Sequence, residues 1–262
     1  MPRLSLKQRI IDKELTIGSW ISLADTDVAE MMAKSDFDWL VIDREHSSIG
    51  LREMSRLIQT IDLAGSVPLV RVGVNDPLHI KQALDSGAKG IVVPMVNSVD
   101  MAKAAVQAAY YPPKGTRGVG LYRAQGYGES FDSYRRDVAY DIIVVVQIEH
   151  YSAIDNIRAI MEVDGVDAFL VGAYDLSGSY GKPGDFNDNE VIEALNIVGQ
   201  YCVNGDKASG IHVVHANDDI NERIKQGFKF IAYGSDMIFL SEKINNVITK
   251  IRACNKFAGK SK

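Results

Sequence analysis

The sequence predicts one (β/α)₈ barrel, a single domain over residues 1–262. Three observations predict it: eight short β-branched runs alternate with eight helix-period segments, most of the runs are continuously apolar, and the eight units consume nearly the whole chain. Strict alternation of strand and helix argues for a parallel sheet. Unbroken runs such as WLVID, GIVVP, IIVVVQ and DAFLVG suit strands covered on both faces. A count of eight favours closure. The rival is an open doubly wound sheet, which in its dinucleotide-binding form puts GxGxxG after the first strand, where this chain reads SLADTD.

In order, TIGSWIS at 16–22 is the first strand, followed by a helix at 26–35. The second strand, 38–43, leads into a helix at 51–64 that Gly65 ends, at a position where a left-handed residue is wanted. VPLVRV at 67–72 precedes a helix at 77–86, closed in the same way by Gly87. The fourth strand, 89–94, is followed by a helix at 98–110 whose cap is Ser98, ahead of Val99 and Asp100. IIVVVQIE at 142–149 then precedes a helix at 152–162, and 166–171 precedes one at 189–204. The seventh strand, 210–215, leads to a helix at 218–226, capped by Asn217 and closed by Gly227. The last pair is 228–233 and 235–254, with a frayed Lys-rich tail at 256–262. One connection stands out: 110–137 is long and rich in Gly, Tyr and Arg, a candidate lid, interface arm or plain surface excursion.

Composition narrows the partners. At 46% hydrophobic and 24% charged the chain is an ordinary globular one, able to bury roughly three quarters of its unfolded surface without disulfide or structural metal. A net charge of −5 with no basic stripe argues against nucleic acid. No apolar run reaches the ~18 residues of a membrane span. The charged start MPRLSLKQRIIDKE lacks a signal-peptide core, and Cys202 and Cys254 have no metal spacing, so a cytoplasmic protein with reduced thiols is expected.

In such a barrel the active site lies at the carboxyl ends of the strands. Those ends supply Trp20 and Ser22, then Asp43, Arg44, Glu45 and His46, then Arg71, Pro94 and Met95. Gln147 and Glu149, Gly172 and Asp175, His215, and the Tyr233–Gly234–Ser235–Asp236 turn follow. No lysine is among them, since Lys89 and Lys229 sit at the entering ends, and a Schiff-base mechanism needs one.

Glu149 and Asp175 leave neighbouring strands ~4.8 Å apart and form the natural pair for a hard divalent cation. Arg71 ends an otherwise apolar strand, and its fork suits a carboxylate or enolate oxygen bidentately. His46 is the candidate base, with Asp43 three residues earlier as the group that orients its ring. Each has a plainer reading: a capping Asp175, a solvent-facing Glu149, a structural salt bridge for Arg71. His212 and His215, three apart on a strand, point to opposite faces and cannot share a metal. The Gly234–Ser235–Asp236 helix start is either an anion site or an ordinary cap.

The segments WLVIDREHS, PLVRVGVNDPLHIKQALDSGAKGIVVPMVNS, YYPPKGTRGVG, VVVQIEH and GVDAFLVGAYDLSGSYG resemble, in order and spacing, the HpcH/HpaI family of class II 2-oxo acid aldolases. The resemblance implies a (β/α)₈ barrel and reversible, divalent-metal-dependent cleavage of a 4-hydroxy-2-oxo acid to pyruvate and an aldehyde. It implies Mg²⁺, Mn²⁺ or Co²⁺ at Glu149 and Asp175, Arg71 on pyruvate, His46 with Asp43 as catalytic partners, and Gln147 beside metal and oxo group. It implies that Asp85 approaches a neighbouring subunit's site, that Trp20 is an aromatic wall, and that Gly172, Ala173 and Tyr174 border the substrate. A homo-oligomer, hexameric and with its last helix exchanged between subunits, also follows from it. The chain departs from the family pattern at Ala173–Tyr174, at Ser47–Ser48–Ile49 and at Asp25–Thr26–Asp27, all near the expected mouth, so the aldehyde is left open. Alternative readings are an oxaloacetate decarboxylase, a phosphoenolpyruvate or acyl-CoA lyase on the same metal-enolate core, or a barrel kept for assembly or sensing.

Overall fold

The computed structural model describes residues 4–214 and 220–258, with side chains as far as Cys254. Eight parallel strands close into a barrel: β1 (Thr16–Ile21), β2 (Trp39–Asp43), β3 (Val67–Arg71), β4 (Gly90–Val93), β5 (Ile143–Ile148), β6 (Ala168–Val171), β7 (Ala208–Val213) and β8 (Phe230–Ser235). Each pairs with its neighbour in sequence, and β1 with β8 through a register shift between Gly18 and Trp20. The outer helices are α2 (Thr26–Ala33), α3 (Leu51–Leu63), α4 (Pro77–Asp85), α5 (Val99–Ala109), α7 (Tyr151–Met161), α9 (Asn189–Asn204), α10 (Ile220–Lys225) and α11 (Asp236–Ala258). These are the eight units expected, with boundaries moved by a few residues. His215, the expected cap Asn217, the first residues of the 218–226 helix and residues 259–262 of the tail lie outside the described residues.

Alternation along the strands divides the interior in two. Outward residues such as Ile42, Val70, Val93, Val146 and Val171 join the helices in the main core. Inward residues, among them Trp39, Val41, Leu69, Val92, Val145, Leu170 and Phe230, fill the barrel. Trp39 stacks on Phe230 at 4.1 Å between ring centroids. Gly18 opposite is required: a Cβ there meets the Trp39 ring at 2.1 Å, closer than any real contact.

Three short helices were not expected. Residues 6–11 form α1 (Leu6–Ile11), capped by the Ser5 hydroxyl, and its Leu6 and Ile10 join the inner cluster as a plug at the amino end. Lys7 anchors it, donating to the Ile142 carbonyl at 2.6 Å and to Asp167 at 3.2 Å. The helix α8 (Ala173–Ser179) starts where β6 ends and carries the AYDLSGS segment. The long connection is ordered into short turns, with a 3₁₀ stretch at Arg123–Gly128, α6 (Phe131–Ser133) and a π-turn at Tyr134–Val138.

Of the three readings of that connection, the structure removes the lid. The connection joins the end of α5 to the start of β5, so it runs at the amino end of the barrel. There Arg123, Tyr127 and Tyr134 line a hollow together with the strand starts Val67 and Ile143. It is not a lid over its own barrel's mouth.

Candidate active site

The mouth is built from strand ends. Asp43 and Arg71 are register partners on β2 and β3. Gln147 and the Glu149 that follows β5 point inward two residues apart, and β6 passes into α8 beside them. Two adjoining cavities of about 490 and 530 Å³ open here, sharing Tyr174 and Asp175. The first is also lined by Trp20, Asp43, His46, Arg71, Gln147 and Gly172; the second by Met95 and Glu149. Among the described residues neither has a lysine in its wall. Hollows of about 680 and 720 Å³ at the amino end and between α3 and α4 lie away from these strand ends, so size does not pick the site.

Asp43 and Arg71 form the buried centre. Arg71 Nε donates to Asp43 Oδ1 at 2.9 Å and Nη2 to Oδ2 at 2.6 Å. The backbone N–H groups of Glu45 and His46 also donate to Asp43 Oδ1. Burial alone would raise the Asp43 carboxyl's pKa, but Arg71 and the two N–H groups hold it below the usual carboxylate range. Arg71 lies over the Trp20 ring at 4.4 Å, and its Nη1 is 3.2 Å from Glu45 Oε2.

Two expectations change. The Arg71 fork is not open for bidentate capture of a substrate, because Asp43 occupies Nε and Nη2 and Glu45 lies 3.2 Å from Nη1. Nor does Asp43 orient the His46 imidazole: it binds that residue's backbone, and the exposed ring has Glu45 as its nearest carboxylate, 3.9 Å from Nε2. Glu45 is a strand-end residue to which the sequence assigned no role. Burial raises its pKa, Arg71 lowers it, and Asp43 and Asp175 raise it further.

Glu149 is buried. Its Oε1 accepts from Met95 N–H at 2.6 Å, and its Oε2 accepts from the Gln147 amide. Burial pushes its carboxyl up to about 7 against the Met95 hydrogen bond, with the charges of Glu45 and Asp175 adding to the rise. Asp175 is exposed in the first turn of α8. Gly172 has to be small: a Cβ there meets Glu149 Oε2 at 2.7 Å and Gln147 Nε2 at 3.1 Å.

The donor set fits a divalent cation. Two carboxylates adjoin one cavity, one of them holding its proton more tightly through burial and like charge, and Gln147 Oε1 is buried with no hydrogen-bond partner among the described residues. No three His, Cys, Asp or Glu side chains among the described residues form a preformed cage. The fit is therefore to an ion that keeps water or substrate among its ligands.

Other residues fall differently. Asp85 ends α4 at the amino end, where its carboxylate accepts from Arg117 at 2.6 Å and from Gln125 at 3.3 Å; this chain does not bring it to its own mouth. Asp236 is taken by the backbone N–H groups of Ser22, Leu23 and Met237, and Ser235 caps Ile238, so the turn at β8 is a cap and not an anion site. Tyr174 stands exposed at the rim, edge-on to Phe186. His212, set aside in the sequence, lines the mouth with its ring 5.6 Å from Trp20 and Nε2 3.1 Å from the Gly234 carbonyl. Inward alternation from Ala208 through Gly210 was the available signal.

A closed parallel barrel with buried carboxylates and an arginine at its carboxyl-end mouth defines the class of (β/α)₈ enzymes. The profile of the family described as HpcH/HpaI aldolase/citrate lyase matches residues 16–242. The chain belongs to that family and is an aldolase, a carbon–carbon lyase. It is 38% identical over 249 residues to a 4-hydroxy-2-oxo-heptane-1,7-dioate aldolase of Salmonella paratyphi B, covering 94% of this chain and 93% of that protein. It is 34% identical over 240 residues to a 2-dehydro-3,6-dideoxy-6-sulfogluconate aldolase of Pseudomonas putida, covering 90% and 92%. A crystal structure of a family protein from Burkholderia cenocepacia superposes with a TM-score of 0.88 at 32% identity, covering 95% of this chain and 99% of the other. Among the described residues no helix is long and apolar enough to cross a membrane.

Proposed function

We propose that this enzyme reversibly cleaves a 4-hydroxy-2-oxo acid to pyruvate and an aldehyde, with a divalent cation held by Glu149 and Asp175. The observation that carries the reading is the buried Glu149–Gln147 pair, with an unpartnered amide oxygen, beside Arg71 in a mouth without lysine. A bound cation supplies Lewis-acid stabilisation of the enolate charge. The remaining tasks fall to the chain itself. Arg71, locked by Asp43, holds its guanidinium fixed over Trp20, and a substrate oxygen shares its Nη1 corner with Glu45, 3.2 Å away. His46, exposed at the rim beside Glu45, takes the proton of the C4 hydroxyl during cleavage and returns it during addition. Trp20 and Gly172 shape the wall.

The relatives named above act on a heptane-1,7-dioate and on a 6-sulfogluconate, so the same class of extended, doubly anionic 2-oxo acid is the proposed substrate here. The test is pyruvate release from such an acid. It should stop with EDTA, return with Mg²⁺, Mn²⁺ or Co²⁺, and survive borohydride with pyruvate; trapping by borohydride would overturn the reading.

The proposal extends to a cytoplasmic homo-oligomer, hexameric by the family resemblance, in which α11 packs on a neighbour. Its stripe of Met237, Leu240, Ile244, Val247, Ile248 and Ile251 is exposed in the single chain, which supports such packing. In that assembly Asp85 serves a neighbouring mouth. Light scattering on the purified protein checks it, and a monomer sinks it.

A further inference from the structure

Arg223 is an arginine on the wrong face of its helix. In α10, Ile220 and Ile224 pack against the core, and Arg223 shares their stripe at the i+3 position. It is half-buried and lines the same 490 Å³ cavity as Arg71. The cavity's lining combines an apolar stretch, Leu195, Ile211, Val213, Val214 and Met237, with the carboxylates Asp43 and Asp175.

Its pairing is incomplete. Arg9, Arg71, Arg117 and Arg123 each close on a carboxylate. Arg223 donates from Nη1 to the neutral amide oxygen of Gln226 at 3.0 Å, and no carboxylate of the described residues lies within ion-pair distance. A half-buried guanidinium whose printed partner is a neutral amide is poorly compensated, and its planar donors match carboxylate or sulfonate oxygens. Arg71, by contrast, is already neutralised by Asp43 and Glu45.

We infer that Arg223 binds the terminal anionic group of the aldehyde half of the substrate, so that the mouth selects aldehydes carrying a second negative charge. The inference rests on the pyruvate aldolase reading, in which the Arg71 corner takes the 2-oxo acid end. The chemistry is that of an oxyanion at the far end of a short chain, whether carboxylate or sulfonate.

The test compares aldol addition of pyruvate to succinic semialdehyde, to 2-hydroxy-3-sulfopropanal and to butanal. It uses the wild-type enzyme, Arg223→Gln and Arg223→Lys, with folding checked by circular dichroism. Deuterium exchange into the pyruvate methyl group by the wild type is measured separately. Loss of a charged hydrogen bond predicts that Arg223→Gln raises KM for at least one anionic aldehyde by about 10–100-fold, with kcat moved far less. The rise for butanal should be at least tenfold smaller, and Arg223→Lys should recover part of the loss. An equal loss on charged and neutral aldehydes, or no loss on any, overturns the inference while the aldolase reading stands. Absence of wild-type exchange with every divalent metal overturns the aldolase reading itself, and the inference with it.

Discussion

Arg71 and Asp43, register partners on adjacent strands, are joined by two hydrogen bonds of 2.9 and 2.6 Å in the buried floor of the mouth. The pair settles which group orients which. Asp43 fixes the guanidinium, and through the backbone N–H groups of Glu45 and His46 it also fixes the turn that carries the histidine.

Arg71→Lys keeps the charge but loses the planar fork, so Asp43 retains at most one strong partner. The expected outcome is a loss of at least about 100-fold in kcat/KM for pyruvate-forming cleavage, as when one preorganised donor to a developing oxyanion is removed. Stability should fall by about 1–3 kcal/mol, less than the full penalty for breaking a buried pair because the positive charge remains. A urea melt and steady-state kinetics check both; a variant within threefold of wild type would remove Arg71 from the mechanism.

The same pair sets a pH dependence. The Asp43 carboxyl titrates lower in the fold than in the unfolded chain, where an aspartate ionises near about 3.9. The unfolded state therefore takes up a proton first as pH falls. The stabilisation is fully present above the unfolded value and is lost as pH drops through the folded one. Asp43→Asn should thus be clearly less stable than wild type at pH 7, with the gap shrinking below about pH 4. Urea midpoints of both proteins from pH 7 to pH 3 give the answer, and a constant gap would contradict it.

Much of this was legible from the chain. Gln147, Glu149, Asp43 and Arg71 end apolar strands, and in a barrel a polar residue in that place has little choice but the mouth. What was not legible is pairing. Strand position says that Arg71 and Asp43 are neighbours, but not that the fork is spent on Asp43 and leaves Glu45 nearest to His46. The sequence leaves the long loop among three readings, and topology removes the lid: a helix-to-strand connection lies at the amino end, and Asp85, at the close of α4, lies there too. Helix α1 was missed because six residues hold too little periodicity. Its signal was only the Ser5 cap and the Leu6–Ile10 spacing.

Gly172 tests the proposed cation site without replacing either carboxylate. An alanine Cβ would press on Glu149 Oε2 at 2.7 Å, on Glu149 Cβ at 2.9 Å and on Gln147 Nε2 at 3.1 Å. Gly172 has a negative φ, so backbone strain is not the issue. Gly172→Ala should fold and weaken Mn²⁺ binding by about 10–100-fold, the usual size of a disturbed metal environment. Mn²⁺ titration by electron paramagnetic resonance reads this directly; unchanged affinity would separate Glu149 from the metal.

His46 separates function from stability. Its side chain is 60% exposed, and among the described residues its ring has one carboxylate neighbour, at 3.9 Å, too far for a hydrogen bond. Removing the ring uncovers little apolar surface and leaves the backbone N–H that holds Asp43 in place. His46→Ala should therefore change stability by no more than about 0.5 kcal/mol, the range of ordinary surface substitutions. Cleavage of the C3–C4 bond should nonetheless fall by about 10²–10⁴, the contribution of a positioned general base. Removal of a methyl proton from pyruvate is a different step and does not involve the C4 hydroxyl, so deuterium exchange into pyruvate should fall far less than cleavage. If exchange and cleavage fell together, His46 would be acting on the enolate, and the assignment of the C4 proton to it would be wrong.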